Sequence, residues 1–154
     1  MTELEALLNQ YKEDSSKLYR EKTGIKSALS TSLGGDNEIL KDPMHQEFYD
    51  NVQKQVEALA DEGDPEACTE AFRLLMAEKK KGNNLVQYNW LLAAETLAVP
   101  LVPFVPKEIL QPICESYGSR IPKRDRLPKQ EELYEAMCRQ LGMPVKKKKR
   151  FPWR

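Results

Sequence analysis

Several chemical groups on which enzymes rely are scarce in this sequence. It has one histidine, His45, and three cysteines, Cys68, Cys114 and Cys138, which are far apart and form no C-x-x-C pair. Three dispersed cysteines indicate neither a disulfide framework nor a zinc site. Cys68 and Cys138 lie in amphipathic helical patterns, so we expect them to be small core residues. No glycine-rich phosphate loop, serine elbow or H-E-x-x-H motif is present. We therefore expect a protein that is not an enzyme and that has no cofactor and no metal.

The isolated ionisable residues have simple structural interpretations. His45 lies in the first turn of a predicted helix with no second ligand at metal-binding spacing, so we interpret it as a solvent-facing or core-edge residue. The acidic residues at 61–66 surround a turn but lack the alternating ligands of an EF-hand, and helix capping explains them better. An enzyme with an unrecognised carboxylate site is a remaining alternative, because any acidic protein offers paired carboxylates.

Long apolar runs and strand patterns are also missing. The longest apolar stretch, 91–105, is interrupted by Glu95, Pro100 and Pro103, so it is too short and too broken to span a bilayer. The acidic N-terminal residues do not form a secretory signal. No segment alternates apolar and polar residues as a strand does. We expect no membrane partner and a cytoplasmic location, or a nuclear one if the source is eukaryotic or viral.

Helical periodicity dominates what the sequence does contain. Apolar residues recur at steps of three, four and seven, which predicts an all-α fold, a compact bundle of about six helices. We assign residues 1–144 to a single helical domain. It comprises a long, partly exposed N-terminal helix over 1–30, a helical core over 43–97 and a proline-rich C-terminal part over 98–144. A flexible basic and aromatic tail occupies 145–154.

Helix start and stop signals place most of the boundaries. Asp42-Pro43 and Asp64-Pro65 each combine a capping residue with a proline at the first helical position, and Gly63 separates the two helices. We expect a short helix over residues 107–117, which Pro112 kinks or delays, and a loop over 118–128. Pro128 begins the last helix, and Gly142 ends it. In the first helix, Ser15 interrupts the apolar stripe.

The prolines are concentrated in the C-terminal third. Eight of the ten lie between residues 100 and 154. The segment 99–106 is apolar but contains three of them, so it cannot form a regular α-helix. We interpret it as an extended strap across the core. The alternative is an exposed apolar docking patch, which is uncommon at this size.

Opposite charges divide the chain. Residues 1–78 carry 17 acidic and 8 basic side chains, a net charge of −9, whereas residues 79–154 carry 7 acidic and 16 basic ones, a net charge of +9. The two halves either attract each other, within one chain or between copies, or the basic half meets an anionic partner.

Two basic clusters flank the last predicted helix, which has at most about 15 residues and is therefore at most roughly 22 Å long at 1.5 Å per residue, so the clusters are close enough to form one footprint. Lysine and arginine suit phosphate contacts, and aromatic rings stack on bases. The candidate nucleic-acid-binding residues are Arg120, Lys123, Arg124, Arg126 and Lys129 in the loop, and Lys146, Lys147, Lys148, Lys149, Arg150, Phe151, Trp153 and Arg154 in the tail.

These features predict a small non-enzymatic binding subunit of a nucleic-acid-handling complex, contacting phosphates without sequence preference. No helix-turn-helix, RNA-recognition or zinc-finger motif indicates base reading. The alternative is a protein-directed adaptor or inhibitor that uses the acidic half and no nucleic acid. We therefore expect a protein partner. The main hypothesis adds nucleic acid, bound without sequence preference, as a second partner. The charge split is also compatible with a homo-oligomer.

Overall fold

A computed structural model describes residues 2–25, 42–78 and 85–143 of the chain. These residues form six α-helices and two 3-10 helices, with no strand among them, which confirms the predicted all-α bundle. In chain order the elements are α1 (Glu3–Ile25), α2 (Pro43–Glu62), α3 (Pro65–Glu78), α4 (Leu85–Glu95), a 3-10 helix (Thr96–Phe104), α5 (Lys107–Arg120), a short 3-10 helix (Lys123–Asp125) and α6 (Pro128–Gln140).

The predicted capping signals at α2 and α3 are confirmed. The Asp42 carboxylate accepts a hydrogen bond from the Met44 amide at 3.0 Å, and Asp64 accepts one from the Glu66 amide at 3.2 Å. Gly63 has a φ of 71° and donates its amide hydrogen to the Leu59 carbonyl, which ends α2 with a left-handed residue. These short-range bonds fix both helix ends without help from the rest of the fold.

The proline-rich segment lies across the core as predicted, but its conformation is not extended. Residues 96–104 form a 3-10 helix, whose backbone angles accommodate the fixed φ of Pro100 and Pro103. Leu101 and Val102 are buried, and this strap makes its most extensive contacts with α3, α6 and α2. It is therefore the central element around which the helices pack.

Helix α1 packs on α2, α3 and α4 through one buried face. That face includes Ser15, which we expected to interrupt the apolar stripe. Its hydroxyl donates to the Tyr11 carbonyl at 2.6 Å and accepts from the Gln87 side chain at 2.7 Å. A polar residue is tolerated here because both of its hydrogen-bonding capacities are used. The helix was expected to reach residue 30, and residues 26–30 lie outside the described part.

The C-terminal part is more helical than predicted. Helix α5 continues to Arg120, through Pro112, whereas we expected it to end at residue 117 with Pro112 kinking or delaying it. Pro112 and Glu108 are both exposed, so the backbone carbonyl that loses its partner can be hydrated. The predicted loop at 118–128 is thereby reduced to a short connection, and Pro128 begins α6 as expected.

No helix in the described ranges is both long and apolar enough to cross a membrane.

Candidate binding edge between α5 and α6

The connection from α5 to α6 carries the five cations predicted to contact phosphates, and the structure places them in different environments. Arg126 is the most enclosed, with a side chain 8% exposed. Its guanidinium donates to the Ile121 carbonyl at 2.8 Å and to the Gly118 carbonyl at 3.4 Å, and pairs with the Glu131 carboxylate at 3.0 Å. It also lies 4.1 Å from the centre of the Tyr134 ring. This side chain holds the connection together.

The position of Gly118 makes this arrangement possible. A Cβ atom at residue 118 would lie 2.8 Å from Cε1 of Tyr134, closer than real Cβ contacts. The glycine therefore lets the Tyr134 ring lie directly against α5, where it forms the platform under Arg126.

Arg120 is held by a different acid. Its guanidinium lies 3.4 Å from the carboxylate of Glu95, which is fully buried at the end of α4, and 5.3 Å from the centre of the Tyr117 ring. Burial raises the pKa of Tyr117 far above its ordinary value, and the nearby Glu95 raises it further. Arg120 thus neutralises an interior carboxylate, although its side chain remains 29% exposed.

Lys123 and Arg124 lie in the short 3-10 helix with their side chains in solvent. Arg124 is 86% exposed, and its contact with the neighbouring Asp125 is long, at 3.9 Å. No ion pair involves Lys123 within the described ranges. Exposed cations of this kind retain their capacity to bind an anion, because weak surface pairs hold them loosely.

Lys129 begins the exposed edge of α6. Its ammonium group donates to the Tyr49 hydroxyl of α2 at 2.8 Å and lies 5.3 Å from the centre of that ring. The contact fixes the position of the cation and leaves two of its three donors available.

The remaining eight predicted site residues, those of the tail, lie outside the described residues. Their contribution is a prediction from the sequence alone.

A groove of about 780 Å³ lies beside this edge, between α2, α4 and the start of α6. Its walls are predominantly apolar and include Tyr49, Trp90 and Leu127, the last of which is 62% exposed. The groove was not predicted from the sequence, because Tyr49, Trp90 and Leu127 are far apart along the chain. An apolar Leu127 within a basic, proline-bounded connection was the one local indication.

His45 lies in the interior behind the groove, which corrects its interpretation as a solvent-facing or core-edge residue. The ring is fully buried, within 2.8 Å of the Tyr11 hydroxyl and stacked on Trp90 with 5.3 Å between ring centres. Burial also raises the pKa of Tyr11 well above its ordinary value, although a hydrogen bond with Ser15 opposes this shift. Aromatic packing around His45 thus supports one wall of the groove.

No group of three or more histidine, cysteine or carboxylate side chains in the described ranges is arranged to hold a metal ion. The three cysteines are buried free thiols, and the Cys114 and Cys138 sulfur atoms are 4.0 Å apart between α5 and α6. The expectation that Cys68 and Cys138 are core residues is confirmed.

Comparison of the sequence with protein-family models gave no match, and comparisons with curated proteins and with solved structures found no similar protein. The fold and the candidate site define the class, an all-α bundle with a cationic edge and an adjacent apolar groove. Functional inference for this chain therefore depends on its own geometry.

Proposed function

We propose that this chain is a non-enzymatic binding subunit that contacts the phosphate backbone of a nucleic acid through the exposed cations of the α5–α6 connection and the basic tail. The observation that carries the proposal is the exposure of Lys123 and Arg124, beside the fixed ammonium group of Lys129. Three accessible cations within seven residues suit successive phosphates.

The environments of the five cations support a smaller set of phosphate ligands than the sequence predicted. Arg126 uses its guanidinium within the fold, so we assign it to positioning the connection and not to phosphate contact. Arg120 retains partial exposure and is a secondary contact. The tail follows α6, which is about 20 Å long at 1.5 Å per residue. Tail and edge together then cover two stretches of one backbone.

The test is a salt titration of binding to a fluorescein-labelled single strand and a matched duplex. Neutralising Lys123 and Arg124 together by substitution with glutamine removes two phosphate contacts, so the slope of log K against log salt concentration should fall by about 1.4–1.8. The control replaces Lys17 and Lys107, both exposed and on other parts of the surface, with glutamine. It removes the same charge and should keep the slope.

Affinity that is independent of salt, or equal losses in the two double variants, would contradict a localised phosphate site. Replacing the five consecutive cations at 146–150 with glutamine, in the full-length chain, should lower affinity further. An unchanged affinity would remove the tail from the proposal.

A protein-directed adaptor is the second candidate, and the exposed Leu127 supports it. A single exposed leucine is ordinary on a protein surface, but Leu127 adjoins a mainly apolar groove, and the two together offer a protein partner a continuous apolar contact. On this hypothesis a protein complex survives nuclease treatment and is weakened by Leu127→Ser, whereas K123Q/R124Q has little effect on it.

A further inference from the structure

The groove between α2, α4 and the start of α6 has the dimensions and lining of a small-molecule site. Its volume of about 780 Å³ lies in the range of ligand pockets, and its surface is mainly apolar with a few polar side chains. Tyr49, Trp90 and Leu127 supply the large apolar and aromatic side chains of the lining. An apolar, flat or branched body therefore matches the walls better than a phosphate backbone does.

The side chains that line the groove carry positive charge and no negative charge. Lys129 is the one charged side chain among the residues that line the groove, and none of the others is an acid. Its hydrogen bond to the Tyr49 hydroxyl at 2.8 Å holds the ammonium group at the rim. A ligand with a single negative charge is thus matched, and a cationic ligand is opposed.

The start of α6 adds to this preference. Leu127 occupies the N-cap position, where its apolar side chain cannot accept a hydrogen bond, and its amide donates to the Gln130 side chain at 2.8 Å. Glu131, the acid of the first turn, is paired with Arg126. Pro128 follows at the first helical position, so the amides of the first turn that carry hydrogen lie at Lys129 and Gln130, both in the lining. The positive end of the helix dipole therefore acts in the same direction as the lysine.

The wall also contains a hydrogen-bond donor with no acceptor. The indole nitrogen of Trp90 is buried and has no hydrogen-bond partner within the described ranges. The nitrogen has no accessible surface, so a molecule in the groove meets the indole ring and not its N–H group. Trp90 therefore contributes an apolar surface to the wall, and its N–H group can report on a molecule bound beside the ring.

We propose that the groove binds a small apolar monoanion, an aromatic or branched aliphatic carboxylate. The body lies against Tyr49, Trp90 and Leu127, and the carboxylate lies at Lys129 and the first turn of α6. The chain's own basic tail is a poorer match, since residues 144–154 bring six cations and no acidic side chain to a groove whose lining is already cationic.

The test uses three probes with one aromatic body, namely 2-naphthoate, the neutral 2-naphthamide and the cationic 2-naphthylmethylammonium. Each is titrated by calorimetry into the full-length chain. We expect the anion to bind at least tenfold more tightly than the amide, and the cation to bind most weakly. In a Trp153→Phe background Trp90 is the one remaining tryptophan, so its indole N–H signal in a nitrogen–proton spectrum should move with naphthoate.

Variants then locate the site. Lys129→Gln should lower the affinity for naphthoate about tenfold and leave the affinity for the amide unchanged. Lys107→Gln is the matched control, since it removes an exposed lysine from the first turn of α5 and should change neither. Leu127→Ser should weaken all three probes. The fold of each variant is compared with that of the wild type by circular dichroism. If Lys129→Gln alters the fold, Lys129→Arg is measured in its place and should retain the preference for the anion.

Three results would overturn the proposal. One is equal affinity for the three probes, which indicates nonspecific apolar adsorption. Another is a Lys129→Gln variant that binds naphthoate as the wild type does. The third is a rise in affinity when Phe151 and Trp153 are both replaced by serine, which would show that the tail fills the groove. K123Q/R124Q separates this proposal from the nucleic-acid proposal, because it should lower only nucleic-acid affinity.

Discussion

Lys123 and Arg124 are only two or three residues away from Arg126 in the sequence, yet the environment of these two side chains differs from that of Arg126 in nearly every respect. Arg126 is almost enclosed and has three hydrogen-bonding partners and an aromatic platform, whereas Arg124 is 86% exposed with one long contact. Removing a buried cation that is fully paired destabilises the fold, because its partners are left unpaired, whereas an exposed cation remains available to a binding partner. Residue type and position in a basic run therefore do not define a binding site, and packing decides which cations are available.

The largest expected effect tests whether Arg126 contributes to the stability of the fold. Arg126→Ala leaves Glu131 without its partner and two carbonyl groups without a donor, so we expect a loss of about 3 kcal/mol in the free energy of unfolding. Urea denaturation measures it. Lys123→Gln is the control and should change stability by less than about 0.5 kcal/mol. If Arg126→Ala also changes the free energy of unfolding by less than about 0.5 kcal/mol, the enclosed environment of Arg126 does not contribute to stability.

A second, smaller effect tests the platform under Arg126. Gly118→Ala places a Cβ atom 2.8 Å from Tyr134 and should displace the ring. Overpacking costs about 1–3 kcal/mol, and the better helix propensity of alanine offsets about 1 kcal/mol of it. Thermal or urea unfolding should therefore show a net loss of up to about 2 kcal/mol. Ser119→Ala, at the exposed neighbouring position, serves as the control. A gain in stability at Gly118→Ala would mean that the ring is not held against α5.

The smallest expected effect is a pH dependence of stability that arises from Cys114, which is buried between α5 and α6. Burial, together with the adjacent Cys138, raises the pKa of the Cys114 thiol to about 12 from an ordinary value of 9.0. Above pH 9 the folded state keeps a proton on Cys114 that the unfolded state releases. The contribution of this thiol to the free energy of unfolding is therefore complete below pH 9 and is lost as the pH rises towards 12. Stability should fall by about 1 kcal/mol from pH 8 to pH 10, and Cys114→Ala should flatten that dependence. An identical slope in the variant would assign the loss to other groups.

Local signals predicted much of the fold. Capping aspartates, first-turn prolines and Gly63 act over a few residues, so the boundaries of α2 and α3 could be read from the sequence. The strap at 96–104 was located correctly because its prolines and apolar residues leave few alternatives. Its 3-10 conformation was not predicted, since apolar composition does not distinguish an extended chain from a tight helix with proline.

The candidate site was less predictable because its contacts join distant residues. Lys129 meets Tyr49 across 80 positions, and His45 stacks on Trp90 from a separate helix. No periodicity within one helix records such pairs. Arg126 was grouped with its exposed neighbours for the same reason, as its inward direction depends on how α5 and α6 pack.

The central strap also has a consequence for the order of events during synthesis. Helices α2 and α3 are complete by residue 78, but the apolar surface that covers them arrives only with residues 96–104. At about 5–20 residues per second, a ribosome needs roughly 1–5 s to add that stretch. For that interval the first helices expose the faces that the strap will cover. During this delay the nascent chain presents an apolar surface of the kind that chaperones near the exit tunnel bind, even though the finished bundle has a continuous core.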